Sequence, residues 1–163
     1  HSGFEMGLFG DFTSLGGSAS IDSAIKHAGA YSARFNCTAV NGYALIFLAA
    51  STRIFVGTSF VYFTTLPNAN CPILTAWNAG IGEIGAVFKQ SDSKIYAGRN
   101  EATVVGATGV SVTTGQWYKI DIRVNTSANP HVVDVQVNGT ACGQFTAIAD
   151  AADTTQSWVG LLI

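Results

Sequence analysis

Charge is scarce in this sequence: only 11% of its 163 residues are Asp, Glu, Lys or Arg, less than half of the roughly 25% usual in globular chains. The eight Lys and Arg are scattered singly among ten Asp and Glu. No basic stripe exists to neutralise a run of phosphates, which argues against nucleic acid as a ligand. Long apolar runs are missing too. Mean hydropathy is +0.31, yet the richest stretch, Tyr43 to Ala50, stops at Ser51, Thr52 and Arg53, far short of the roughly 20 residues a spanning helix needs. That excludes a helical membrane protein. Cysteines number three and include no CxxC pair. At most one intrachain disulfide can form among Cys37, Cys71 and Cys142, and no metal or redox motif is spelled. At least two of the three are expected to act as small buried hydrophobes, with Cys71, between Asn70 and Pro72, the one expected to be exposed or paired.

Aromatics are plentiful, with ten Phe, five Tyr and three Trp spread along the chain. Every segment therefore has something to bury, and long disorder is excluded. With 48% hydrophobic residues and so little charge, the surface is expected to be largely Ser, Thr, Asn, Gln and Gly. Such surfaces suit extracellular, cell-surface or virion proteins, or subunits covered by neighbours. Sequons at Asn36, Asn125 and Asn138 point weakly the same way. No secretory leader pattern opens the chain, so a processed product or a segment of a longer one is expected.

The dominant period is two. From Trp117 to Val124, Tyr118, Ile120, Ile122 and Val124 alternate with Trp117, Lys119, Asp121 and Arg123, the pattern of a strand buried on one face. From His131 to Asn138, Val133, Val135 and Val137 alternate with Asp134, Gln136 and Asn138. The two segments predict a hairpin whose polar faces oppose, so that Asp121 or Arg123 finds partners across the strands. Further strands are expected at 18–21, 31–38, 43–49, 53–63, 72–77, 81–89, 94–97, 102–105, 142–148 and 157–163, with one helical turn at most near 21–28 and another near 147–153. Many short strands with Gly and Asn at the joins predict an all-β chain, an antiparallel β-sandwich or jelly roll, as one domain over residues 1–163.

Two groups of residues carry a resemblance. Gly3-Phe4-Glu5-Met6-Gly7, then Gly17 to Ile21, then His27 to Phe35, is similar to the start of many β-sandwich carbohydrate-binding modules. Gly115-Gln116-Trp117 to Val124, followed by Val133 to Gly139, resembles the hairpin of concanavalin A-like lectin/glucanase jelly rolls. The resemblance implies a last strand following Ile163 and therefore a sandwich lacking that strand within these residues. It also implies a structural calcium site in which Glu5 is one ligand; calcium takes six to eight oxygens. From the residues themselves, Gly29 is expected to turn the chain before Tyr31, and Asn138-Gly139 to form a tight hairpin turn. Trp117 is expected to pack at the sandwich edge.

Catalysis is disfavoured by composition. Glycosidases of this kind need two carboxylates about 5 Å apart for retention or about 6.5–9.5 Å for inversion. Here Glu5, Glu83 and Glu101 are the only glutamates, and no two acids alternate along a strand. A lyase would need a base beside a cation, and no motif joins His131, Tyr96 and Arg99. A sugar-binding face needs rings for stacking and planar polar groups at the margin. Trp77 with Asn78, and Tyr96 with Arg99, are the candidates. The sequence thus predicts a noncatalytic domain that binds a polysaccharide or glycan. Its rival is a structural subunit of a virion, fibre or filament, assembling as a homo-oligomer or against a neighbouring subunit.

Overall fold

The fold is given by a computed structural model, which describes residues 14–17, 19–35, 43–52, 54–78, 82–99, 104–125, 127, 131–147 and 158–162. Every regular element among them is a β-strand, and all pairings are antiparallel. The chain divides into two compact units, residues 1–47 with Ile163 and residues 48–162. In the first, β1 (Ser14–Gly16) pairs with the start of β4 (Tyr43–Thr52), and β2 (Ala19–Asp22) pairs with β3 (Ser32–Phe35). The expected helical turn near 21–28 is instead a loop held by Asp22. Its Oδ1 accepts from the Ala24 and Ile25 amides at 2.7 and 3.1 Å, an Asx-type closure that competes with helix. Gly29 has φ +73° and turns the chain before β3, as expected.

The second unit contains two sheets. One follows the order β14 (Trp158–Leu162), β6 (Cys71–Asn78), β7 (Gly82–Lys89), β8 (Lys94–Arg99), β9 (Val104–Ser111). The other runs β12 (Thr140–Ala141), β11 (His131–Val137), β10 (Trp117–Asn125), β5 (Ile54–Tyr62), with β13 (Phe145–Ala147) also on β11. β10 and β11 form the expected hairpin pair, with Ile122 opposite Val135 and Arg123 opposite Asp134. Their inward residues Tyr118, Ile120, Ile122, Val124, Val133, Val135 and Val137 are buried. Each such aliphatic side chain contributes about 1.5–3 kcal/mol on leaving water. β10 and β11 pack against β6, β7 and β8 of the other sheet, where Leu74, Ala76, Ile84, Ala86 and Phe88 are also buried. Phe63 ties the two layers, with its ring 6.1 Å from both Phe88 and Tyr118. This is an antiparallel β-sandwich.

Local chemistry fixes the joins. Asn138 and Gly139 take φ +50° and +79°, the two positive angles of a tight hairpin turn. The Asn138 side chain accepts from the Lys119 amide at 2.8 Å, and its own amide donates to the Lys119 carbonyl at 2.8 Å. The turn is thereby latched to β10. Tyr118 is held at its hydroxyl by the Thr113 amide at 2.7 Å and by Gln116. Burial works to raise its pKa, and these donors outweigh it, so the net direction is down. Pro72 has no amide hydrogen to donate, and the β6–β7 register shifts between Pro72 and Leu74.

Three expectations change in the details. β9 runs from Val104 to Ser111 rather than ending at 105. β1 and the two-residue β12 carried no strand signal. Of the strand expected over 142–148, Cys142 to Gln144 are not in a strand and Phe145–Ala147 form β13; residue 148 lies outside the described residues. Cys142 itself is buried, and burial raises its thiol pKa to about 11 against an opposing backbone hydrogen bond. It behaves as the small apolar residue expected. Cys71 is half-buried at the start of β6; Cys37 lies outside the described residues.

Candidate functional site

The four ligand-binding candidates read from the sequence all fall on β6 and β8. Trp77 and Asn78 close β6, with backbones opposite Glu83 and Gly82. Tyr96 is only 7% exposed. Its ring covers Gly109 so closely that a Cβ there would stand 2.6 Å from it, and the Lys89 ammonium sits 5.6 Å from its centroid. Its hydroxyl donates to Asp92 Oδ2 at 2.6 Å, and that carboxylate, with burial, pushes the phenol pKa up. A ring so covered has no open face for a sugar to stack on. Arg99, three residues on along a strand whose register with β7 is unbroken, projects to the opposite face. Tyr96 and Arg99 therefore do not share a platform. Glu5 lies outside the described residues, as does Glu101. Among the described residues no group of three or more His, Cys, Asp or Glu gathers to hold a metal.

The exposed chemistry is on the other sheet. β5, β10 and β11 turn one face inward and the alternate residues outward, and the outward residues stand in register. Tyr62 is opposite Trp117, Phe60 opposite Lys119, Thr58 opposite Asp121, and Val56 opposite Arg123. Asp121 lies opposite Gln136 and Arg123 opposite Asp134. A half-open depression of about 360 Å³ lies beside the middle of β10 and β11, lined by Val56, Asp121, Arg123, Asp134, Gln136 and Gln144 among others.

Its polar groups form a set of two separate clusters. Thr58 Oγ1 donates to Asp121 Oδ1 at 2.6 Å, and Lys119 Nζ lies 2.9 Å from Asp121 Oδ2. Hydrogen bonds from Thr58 first and then Lys119 hold the Asp121 carboxyl below the usual carboxylate range. Asp121 is thus a charged acceptor at neutral pH, the wrong state for a general acid. Arg123 Nη1 lies 3.7 Å from Asp134 Oδ2, and Gln144 Nε2 donates to Asp134 Oδ1 at 3.0 Å.

An apolar flank borders this set. Ile54 is 49% exposed, Val56 78% and Phe60 43%, all on β5. At one end the Trp117 and Tyr62 rings pack with centroids 5.4 Å apart, tilted by 56°. Trp117 is half-buried there. Alternation had marked Lys119, Asp121 and Arg123 as the outward face of β10; what it did not show is that β5 lies beside them, because that pairing spans some 60 positions.

No family model matches the chain, and no curated protein matches it. Among solved structures, the carbohydrate recognition domain of Emp47p aligns at 11% identity and a TM-score of 0.30. The alignment covers 74% of this chain and 59% of that one, so this chain spans less than two thirds of that length. A likeness of that order assigns neither family nor ligand.

Proposed function

We propose that this chain is a noncatalytic glycan-binding domain of an extracellular, cell-surface or virion protein, and that it binds on the outer face of β5, β10 and β11. The observation that supports this best is the pairing, on one exposed sheet face, of a planar polar set with an apolar flank. Asp121, Arg123, Asp134, Gln136 and Gln144 surround the depression, and Val56 and Phe60 stand beside them. Sugars present hydroxyls at their rims and C–H groups on their faces, and both kinds of partner are needed together. The opening and hairpin residues that resemble carbohydrate-binding modules and concanavalin A-like jelly rolls agree with this reading.

Glycan-array screening followed by titration calorimetry tests it. Binding should fall at least tenfold in Arg123→Ala and Gln136→Ala, both exposed enough to leave the fold intact. Full affinity in both variants, or silence of the folded protein across the array, would refute it. A second reading rests on the apolar flank itself. β5 carries no charged residue, and its exposed Ile54, Val56 and Phe60 suit a protein neighbour, as in an assembling structural subunit. Sedimentation separates the two, since a dilute, stable monomer speaks against assembly.

A further inference from the structure

We infer that the ligand of this face is an uncharged, extended polysaccharide lying along β10, neither an anionic glycan nor a single terminal sugar; this rests on the glycan-binding reading above. Charge is the first ground. The outward positions of β5, β10 and β11 carry two cations, Lys119 and Arg123, and two carboxylates, Asp121 and Asp134. Each cation lies against a carboxylate, at 2.9 Å for Lys119 and 3.7 Å for Arg123. The face is neutral and its cations are engaged. A uronate or sulfate would have to displace Asp121 or Asp134 and then sit beside it, and like charges at such range repel.

Shape is the second ground. The depression is open on its solvent side, so a single sugar would be held there from one side only. Affinity has to accumulate along a length, and β10 provides it. From Trp117 to Asn125 its outward residues recur about every 7 Å over about 27 Å, room for several pyranose units in line. The third ground is the arrangement of the two strands. The polar residues of β10 and the apolar residues of β5 form parallel rails about 4.8 Å apart, with the hydroxyls of Thr58 and Tyr62 set into the apolar rail. An extended chain of sugar rings can set C–H faces against Val56 and Phe60 while its hydroxyls reach Asp121, Arg123 and Gln136. The Trp117–Tyr62 pair closes one end of this track.

Affinity gel electrophoresis of the whole chain checks the inference, with hydroxyethylcellulose, glucomannan, xyloglucan and galactomannan as uncharged matrices and polygalacturonate, alginate and heparin as anionic ones. Retardation is expected by at least one uncharged polymer and by none of the anionic ones. For the polymer that binds, calorimetry should show a hexasaccharide binding at least tenfold more tightly than the disaccharide. Retardation by an anionic polymer, or equal affinity for the two lengths, would overturn the inference while leaving glycan binding standing. Retardation by none of the seven would overturn glycan binding itself. The double variant Asp121→Asn with Asp134→Asn, checked for fold by near-ultraviolet circular dichroism, strips both cations of their carboxylates. It should gain heparin binding that physiological salt weakens; a folded double variant that ignores heparin would contradict the charge-pairing ground.

Discussion

β10 and β7 are neighbours across the core of one sandwich, yet their environments differ. Along β10 buried residues alternate strictly with more exposed ones. Along β7 the five residues from Ile84 to Phe88 are all buried. Alternation sends Ile84, Ala86 and Phe88 toward the second sheet, and Gly85 and Val87 to the other side, where Val87 joins Tyr96 and Val105 in a separate apolar cluster. The β6–β7–β8 sheet is covered on both faces, and the β5–β10–β11 sheet on one. Where both faces are buried, as from Ile84 to Phe88 and from Ile95 to Gly98, no side-chain surface is left for a ligand. The exposed sheet is therefore the one proposed to bind.

The contrast is broken most forcefully by placing a carboxylate on each sheet, away from the shared core. Val87→Asp buries an unpaired charge at a position of 0% exposure and should cost about 4 kcal/mol or more. Val56→Asp, at 78% exposure, should stay within about 0.5 kcal/mol. Urea unfolding measures both, and similar losses would show that the two sheets are not covered differently.

A smaller effect is expected where the covered face is tightest. Gly109 lies opposite Tyr96 beneath its ring, an aromatic side chain sheltering a strand glycine. Gly109→Ala would drive the ring from its place over Gly109 and should cost about 1–3 kcal/mol, read as a lower urea midpoint. A neutral outcome would mean that the ring has room to move.

The gentlest test is electrostatic and belongs to the exposed sheet. Asp121 titrates below the usual carboxylate range, so the stability it adds is complete above about pH 4 and is lost as pH falls through its folded pKa. Thr58→Ala removes the foremost cause and should raise the Asp121 pKa, narrowing that acid-side loss. A carbon-detected NMR titration of the carboxyl follows it directly; an unchanged pKa would contradict the Thr58 contact.

The same contrast explains what was legible in the sequence. The β10–β11 hairpin, its register partners and the Asn138-Gly139 turn could be read because one face meets solvent and prints a period of two. On the doubly covered sheet that period vanishes. β7 reads as a near-continuous apolar run with glycines, and β9 reads short because Gly106 and Gly109 resemble breaks when the Tyr96 ring over Gly109 is unseen. Tyr96 reads as a ligand platform for a related reason: neighbouring Arg99 makes it look like a surface residue, while the Gly109 it covers is 13 positions away. The outer face of β5 was hidden for a different cause. Its apolar outward residues suggest core, and only the β5–β10 pairing shows them beside Asp121 and Arg123.

The most direct measurement is a map of backbone amide shifts as an uncharged oligosaccharide that binds is titrated into labelled protein. Binding on the exposed sheet predicts changes concentrated at Val56, Phe60, Lys119, Asp121, Arg123 and Gln136; changes concentrated around Tyr96 and the rest of β6–β8 would contradict it.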